Sequence, residues 1–178
     1  MKTVLSVGVL LLAVMGCGLI GRNSTSESTN KATQASPTPK IKVKVADFPS
    51  LFGKSVADVK KQVNGKIDYE SPSTIKFEIP QGYLNFDTRA SVSKEISFRL
   101  SDNASGEYLD IYAESPQELA DFVGIDLKGK SPNADSSDSF VRYDDLFGGQ
   151  PVEITFSKEK TSSGKDKFNY LTVRMRQK

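Results

Sequence analysis

Few side chains in this 178-residue chain can do covalent or metal chemistry. Histidine and tryptophan are absent, and the single cysteine is Cys17. Composition therefore excludes a His/Cys metal cluster, a Ser-His or Cys-His nucleophile pair and a disulfide within the chain. There is no P-loop and no dinucleotide fingerprint, and Gly148-Gly149 reads as a turn pair. Carboxylates remain. Asp144-Asp145 and the pair Glu107/Asp110 could be drafted as an acid/base couple or as oxygen ligands for calcium. The favoured reading is that they are solvated acids of turns and strand edges. Asp135-Ser136-Ser137-Asp138 is rich in ligand oxygens too, and such loops are usually just flexible. The expectation is a protein that is not an enzyme, with no catalytic residues, no metal site and no cofactor.

Cys17 has a different setting. Lys2 is followed by a run of apolar and small residues from Val4 to Met15. That run suits a signal-peptide core and is too short for a bilayer, which needs about 20 residues. Gly16 stands directly before Cys17, Val14 three places before it, and a Ser/Thr-rich stretch follows. The pattern resembles the bacterial lipobox, with Met15 departing from the usual small residue. The resemblance implies cleavage before Cys17, diacylglycerol on its sulfur, an acyl chain such as palmitate on the new amino group, and a lipid-anchored cell-envelope protein. It also implies outer-membrane sorting if the host is Gram-negative, because Gly18 replaces the acid that retains such proteins inside. The expected organisation is a signal peptide over 1–16, a lipidated cysteine with a polar tether over 17–44, and a folded domain over 45–178. A flexible tether of about 27 residues reaches about 30 Å. Ile41, Val43 and Val45 alternate as a first strand.

The elements that must position any site lie in 45–178. Ser55 and Asp58 have the spacing of an N-cap and an N3 acid, with Val56, Val59 and Val63 on one face and Gly65 as a stop. Ser115, Pro116 and Glu118 repeat the pattern ahead of Leu119, Phe122, Val123 and Gly124. Alternating segments surround these helices: Ile75/Phe77/Ile79, Ile96/Phe98/Leu100, Leu109/Ile111, Val152/Ile154/Phe156 and Leu171/Val173/Met175. Period-two alternation predicts antiparallel strands covered on one face. The predicted class is α+β: two helix-plus-antiparallel-strand units, with possible sub-units 45–112 and 113–178 and the helices packed on one face of the sheet. Gly53-Lys54-Ser55, Asp58-Val59, Val63 and Gly65-Lys66 resemble the helix signature of two families. These are the SmpA/OmlA-type lipoproteins, accessories of β-barrel assembly, and the β-lactamase-inhibitor-protein-like tandem repeats. Asn64 and Ile67 depart from that signature.

The formal charge is +2, with the excess cations in the leader and tether, so the domain itself is mildly acidic. No basic helix or basic–aromatic stripe suggests nucleic acid. The polar strand positions carry Arg99, Tyr108, Tyr112, Tyr170 and Arg174, residue types that dominate protein–protein hot spots. Ordinary cross-strand pairing on a wet sheet face is the competing reading. Leu146 and Phe147 are either an exposed apolar tip or a tucked-in cluster. Two functional expectations follow. One is a non-enzymatic protein-binding or assembly-accessory module whose partners are the membrane, through the anchor, and another envelope protein. The other is a domain for a small molecule, lipid or glycan, with a pocket between helices and sheet.

Overall fold

The computed structural model describes residues 43–89, 92–102 and 109–176. Cys17, most of the expected tether and Tyr108 lie outside the described residues. Three helices are short: α1 (Phe48–Leu51), α2 (Val56–Gln62) and α3 (Pro116–Asp121). Ser55 caps α2, its hydroxyl accepting from the backbone N–H of Asp58. Ser115 caps α3 in the same way through Glu118. Each cap satisfies one of the orphan donors at a helix start.

Strands dominate. They are β1 (Lys66–Glu70), β2 (Thr74–Ile79), β3 (Gly82–Asp87), β4 (Glu95–Asp102), β5 (Leu109–Asp110), β6 (Phe140–Phe147), β7 (Gln150–Lys160) and β8 (Asp166–Met175). One antiparallel sheet runs in the order β1-β2-β3-β4-β8-β7-β6, and β5 pairs with β4 beside that path. The segment carrying β5 enters where β4 and β8 part. Ser101 pairs with Asp110, and Ala113 bridges to Phe168.

This corrects the expected fold class. The protein is β-rich, and the chain does not form two helix-plus-strand units. The strands before α3 and those after it make one sheet, because β4 and β8 pair directly from Glu95↔Arg174 to Arg99↔Tyr170. The physical reason is the edge. Two separate meanders would each expose a long row of unpaired peptide groups at β4 and β8, and joining them satisfies both rows. Residues 43–47 form no strand either. Val45 and Ala46 instead donate to the carbonyl of Phe122, and Phe48 to that of Val123, which ties the start of the domain to the end of α3.

The core lies on one face of the sheet. Ile75, Phe77, Leu84, Ile96, Phe98, Leu171, Val173, Ile154 and Phe156 are all buried there. Phe48, Leu51, Val59, Leu119 and Phe122 from the helical segments join the same cluster. Phe98 meets Phe122 with ring centroids 5.9 Å apart, and Phe77 meets Phe86 edge to face at 5.7 Å. The opposite face has no such cover among the described residues. Strand alternation therefore turns every second side chain of the sheet toward solvent.

Candidate functional site

The open face is ordered by register into rows that cross the strands. The first row is Glu78, Tyr83, Arg99, Tyr170, Ser157 and Phe140, each opposite the next on the neighbouring strand. The second is Lys76, Asn85, Ser97, Thr172, Thr155 and Arg142. The third runs Glu95, Arg174, Glu153 and Asp144, with Asp87 continuing it on β3. Same-face rows lie about 7 Å apart along a strand, and neighbouring strands about 4.8 Å apart.

Side-chain length gives this face relief. Asn85, Ser97, Thr172 and Thr155 are short, and Ser97 and Thr172 are only 7% and 5% exposed. They form a floor of hydroxyls and one amide, with Asn85 Nδ2 3.5 Å from Ser97 Oγ. The long residues of the outer rows stand above it as two ridges. Over the β3–β4 end lies a hollow of about 320 Å³, with Asn85, Ser97, Asp87 and Glu95 in its lining.

The ridges differ in chemistry. Over β3, β4 and β8 the first is aromatic and cationic, with Lys76 of the middle row leaning onto it. The Arg99 guanidinium carbon lies 5.4 Å from the Tyr170 ring centre, and Lys76 Nζ lies 3.9 Å over Tyr83. Arg142 from the middle row covers Phe140 at 4.3 Å. A cation over a ring face is held by the ring quadrupole. The third row is acid-rich. Asp87 accepts from the Arg89 side chain and backbone N–H, and that guanidinium holds its carboxyl below the usual range. Glu95 and Arg174 are cross-strand partners, and among the described residues neither side chain makes a hydrogen bond or an ion pair within 4 Å, although Glu95 acts electrostatically on Arg89.

Of the residues singled out by sequence, Arg99 and Tyr170 are brought into contact. Tyr112 lies at the end where β4 and β8 part, with Lys167 Nζ 3.7 Å over its ring. Burial opposes charge on Lys167, and its contacts with Tyr112 and Glu159 outweigh that, so its pKa is raised. Arg174 is exposed on the same face of β8, but Thr172 separates it from Tyr170. The expected merged patch is thus two ridges with a floor between them. Sequence reasoning missed Tyr83, Phe140, Glu95 and the floor. The signal for Tyr83 was present, since Leu84 and Phe86 alternate with Tyr83, Asn85 and Asp87.

The candidate carboxylates do not converge. Asp144 and Asp145 are adjacent in β6, so alternation sends them to opposite faces. Asp144 pairs with Arg176 at 2.5 Å, and Asp145 with Lys130 at 2.8 Å. Asp135 pairs with Arg142. Glu107 lies outside the described residues. Among the described residues no group of three or more His, Cys, Asp or Glu side chains could hold a metal ion. Leu146 and Phe147 also part. Leu146 is 66% exposed, whereas Phe147 is buried edge to face on Phe52. Compared with known proteins, the chain matches no family model, no curated protein and no solved structure.

Proposed function

We propose that this chain is a non-enzymatic binding module that docks another protein on the open face of its sheet. The same proposal places it at the cell envelope, with a lipid anchor on Cys17, in the outer membrane where the host has one. The observation that carries the binding reading is the first ridge, in which Tyr83, Arg99 and Tyr170 stand side by side on three adjacent strands. Tyr gives a large contact area with little conformational freedom to lose, and Arg gives a planar fork of donors, which is why they anchor interfaces. The ridge residues sit on strands paired along both edges, which sets their backbone positions before a partner arrives. The other reading, a ligand pocket between helices and sheet, has less support. The helical segments send buried side chains into the core, and the hollow on the face is polar and open.

The test is crosslinking in native membranes. Wild-type protein should give an adduct that Tyr170→Ala reduces at least tenfold with folding unchanged. An undiminished adduct in Tyr170→Ala and Arg174→Ala alike counts against the open face. The anchor is tested separately, since Cys17→Ser should release the domain from membranes. Membrane retention of that variant would contradict the lipid reading.

A further inference from the structure

We infer that the partner of the open face is a second copy of this chain, packed face to face about a two-fold axis lying along the hydroxyl row. The inference rests on the reading above that this face binds protein. Its carrier is charge complementarity between the two ridges. A two-fold axis in the sheet plane, parallel to the rows, leaves strand positions unchanged and exchanges the first row with the third. Each residue of one ridge then meets the residue of the other ridge on the same strand. On β4 this brings Arg99 over Glu95 of the second copy, and Glu95 over its Arg99. On β8 it brings Tyr170 over Arg174 of the second copy. On β3 it brings Tyr83 over Asp87. The three strands at the middle of the sheet thus give an ion pair, a cation–ring pair and a phenol–carboxylate pair, each made twice by symmetry.

Other placements do worse. A two-fold axis along the strands sets each row on itself; placed between β4 and β8 it turns Glu95 toward Arg174 of the other copy but sets Asp87 against Glu153. An axis perpendicular to the sheet cannot bring two open faces together at all. Over β3, β4, β8 and β7 the middle row suits the chosen axis, because short side chains face short side chains; at its ends Lys76 and Arg142 meet their own counterparts, each already paired within its chain with Asp68 and Asp135. Asn85, Ser97, Thr172 and Thr155 of the two copies then line a hydrated channel, and bridging water is a normal part of such interfaces. The arrangement also adds a close partner for Glu95, which within its own chain feels the charge of Arg89 without forming an ion pair within 4 Å, and one for Arg174. Six strands at about 4.8 Å, and ridges about 14 Å apart with their own width added, give a face of about 500 Å² per copy. The pair buries about 1,000 Å², the lower limit for a specific interface, so the expected affinity is micromolar.

The test is sedimentation equilibrium of the intact chain in a non-ionic detergent, using complementary charge variants. Wild type should dimerise in the micromolar range. Arg99→Glu alone and Glu95→Arg alone should each weaken the dimer at least tenfold, because each then sets like charges opposite one another. Mixing the two variants should restore association, since both cross-contacts become Glu–Arg again. That recovery also shows that both variants are folded. A wild-type monomer at about 200 µM, or variants that dimerise as well as wild type, would overturn the inference. If wild type is monomeric but Tyr170 still crosslinks a different protein in membranes, the homotypic inference fails and the open-face reading stands. If neither association is seen, both fail.

Discussion

Gly82 is where the fold and the candidate surface depend on the same few atoms. It opens β3 with φ near 139°, and an added Cβ would stand 1.8 Å from the carbonyl oxygen of Arg99. Ordinary Cβ contacts are well over 3 Å, so Gly82→Ala requires the start of β3 to move away from β4 by more than an ångström. Three costs follow. The positive φ strains an L-residue by about 1–3 kcal/mol. The Ser101 N–H bond to Gln81, 3.0 Å long, is stretched beside it. Ladder bonds at the Gly82↔Leu100 pair loosen too, and each lost bond is worth about 1 kcal/mol. The expected loss is about 3–5 kcal/mol, a size reserved for backbone clashes and core cavities. Urea unfolding followed by circular dichroism measures it, with the slope unchanged if the native fold survives. Because Tyr83 and Arg99 are neighbours across this contact, the variant should also weaken partner binding. A stability loss below about 1 kcal/mol would refute the close approach of β3 to β4.

Phe122→Ala removes a ring that is 7% exposed and packed on Phe98, so a loss of about 3–4 kcal/mol in urea unfolding is expected. Ser115→Ala leaves the Glu118 N–H without its cap and should cost about 1 kcal/mol, read as a fall in melting temperature. Asp87 has a lowered pKa because of Arg89, so it stabilises the fold at pH above the ordinary aspartate value. That contribution is lost as pH falls through the lowered value. Asp87→Asn should therefore flatten the acid side of the melting-temperature profile below about pH 4 and leave its slope near pH 7 unchanged. Leu146→Ser, at a site 66% exposed, should change stability by less than about 0.5 kcal/mol, whereas Phe147→Ser should cost several times more.

Strands with one buried face were legible in the sequence. Ile75/Phe77/Ile79, Ile96/Phe98/Leu100, Val152/Ile154/Phe156 and Leu171/Val173 fall in β2, β4, β7 and β8. Both helix caps were legible too, because Ser at N-cap and an acid at N3 are local chemistry. Three strands were not. β1 is exposed at every residue, so no alternation marks it. β3 hides behind Pro80-Gln81, where the turn ends at Gly82 and the strand begins at once. In β6 the pair Asp144-Asp145 reads as a turn, yet Val141, Tyr143 and Phe147 still face the core. The single sheet was not legible either. The number of strands can be counted along a chain, but which edges meet is settled by non-local pairing, here β4 with β8. The candidate surface inherits that limit. Alternation puts Arg99 and Tyr170 on polar faces, but only the β4–β8 register makes them neighbours. The hydroxyl floor was invisible for the same reason, since Asn85, Ser97, Thr172 and Thr155 come from four strands.

The central claim is that the open face, and not the helix-covered one, meets the partner. Site-specific photocrosslinking in intact cells tests it directly. A benzophenone side chain is placed at Tyr170 on the open face, or at Gln62, the exposed last residue of α2. A discrete adduct from position 170 and none from position 62 is the expected result. An adduct from position 62 with none from position 170 would contradict it.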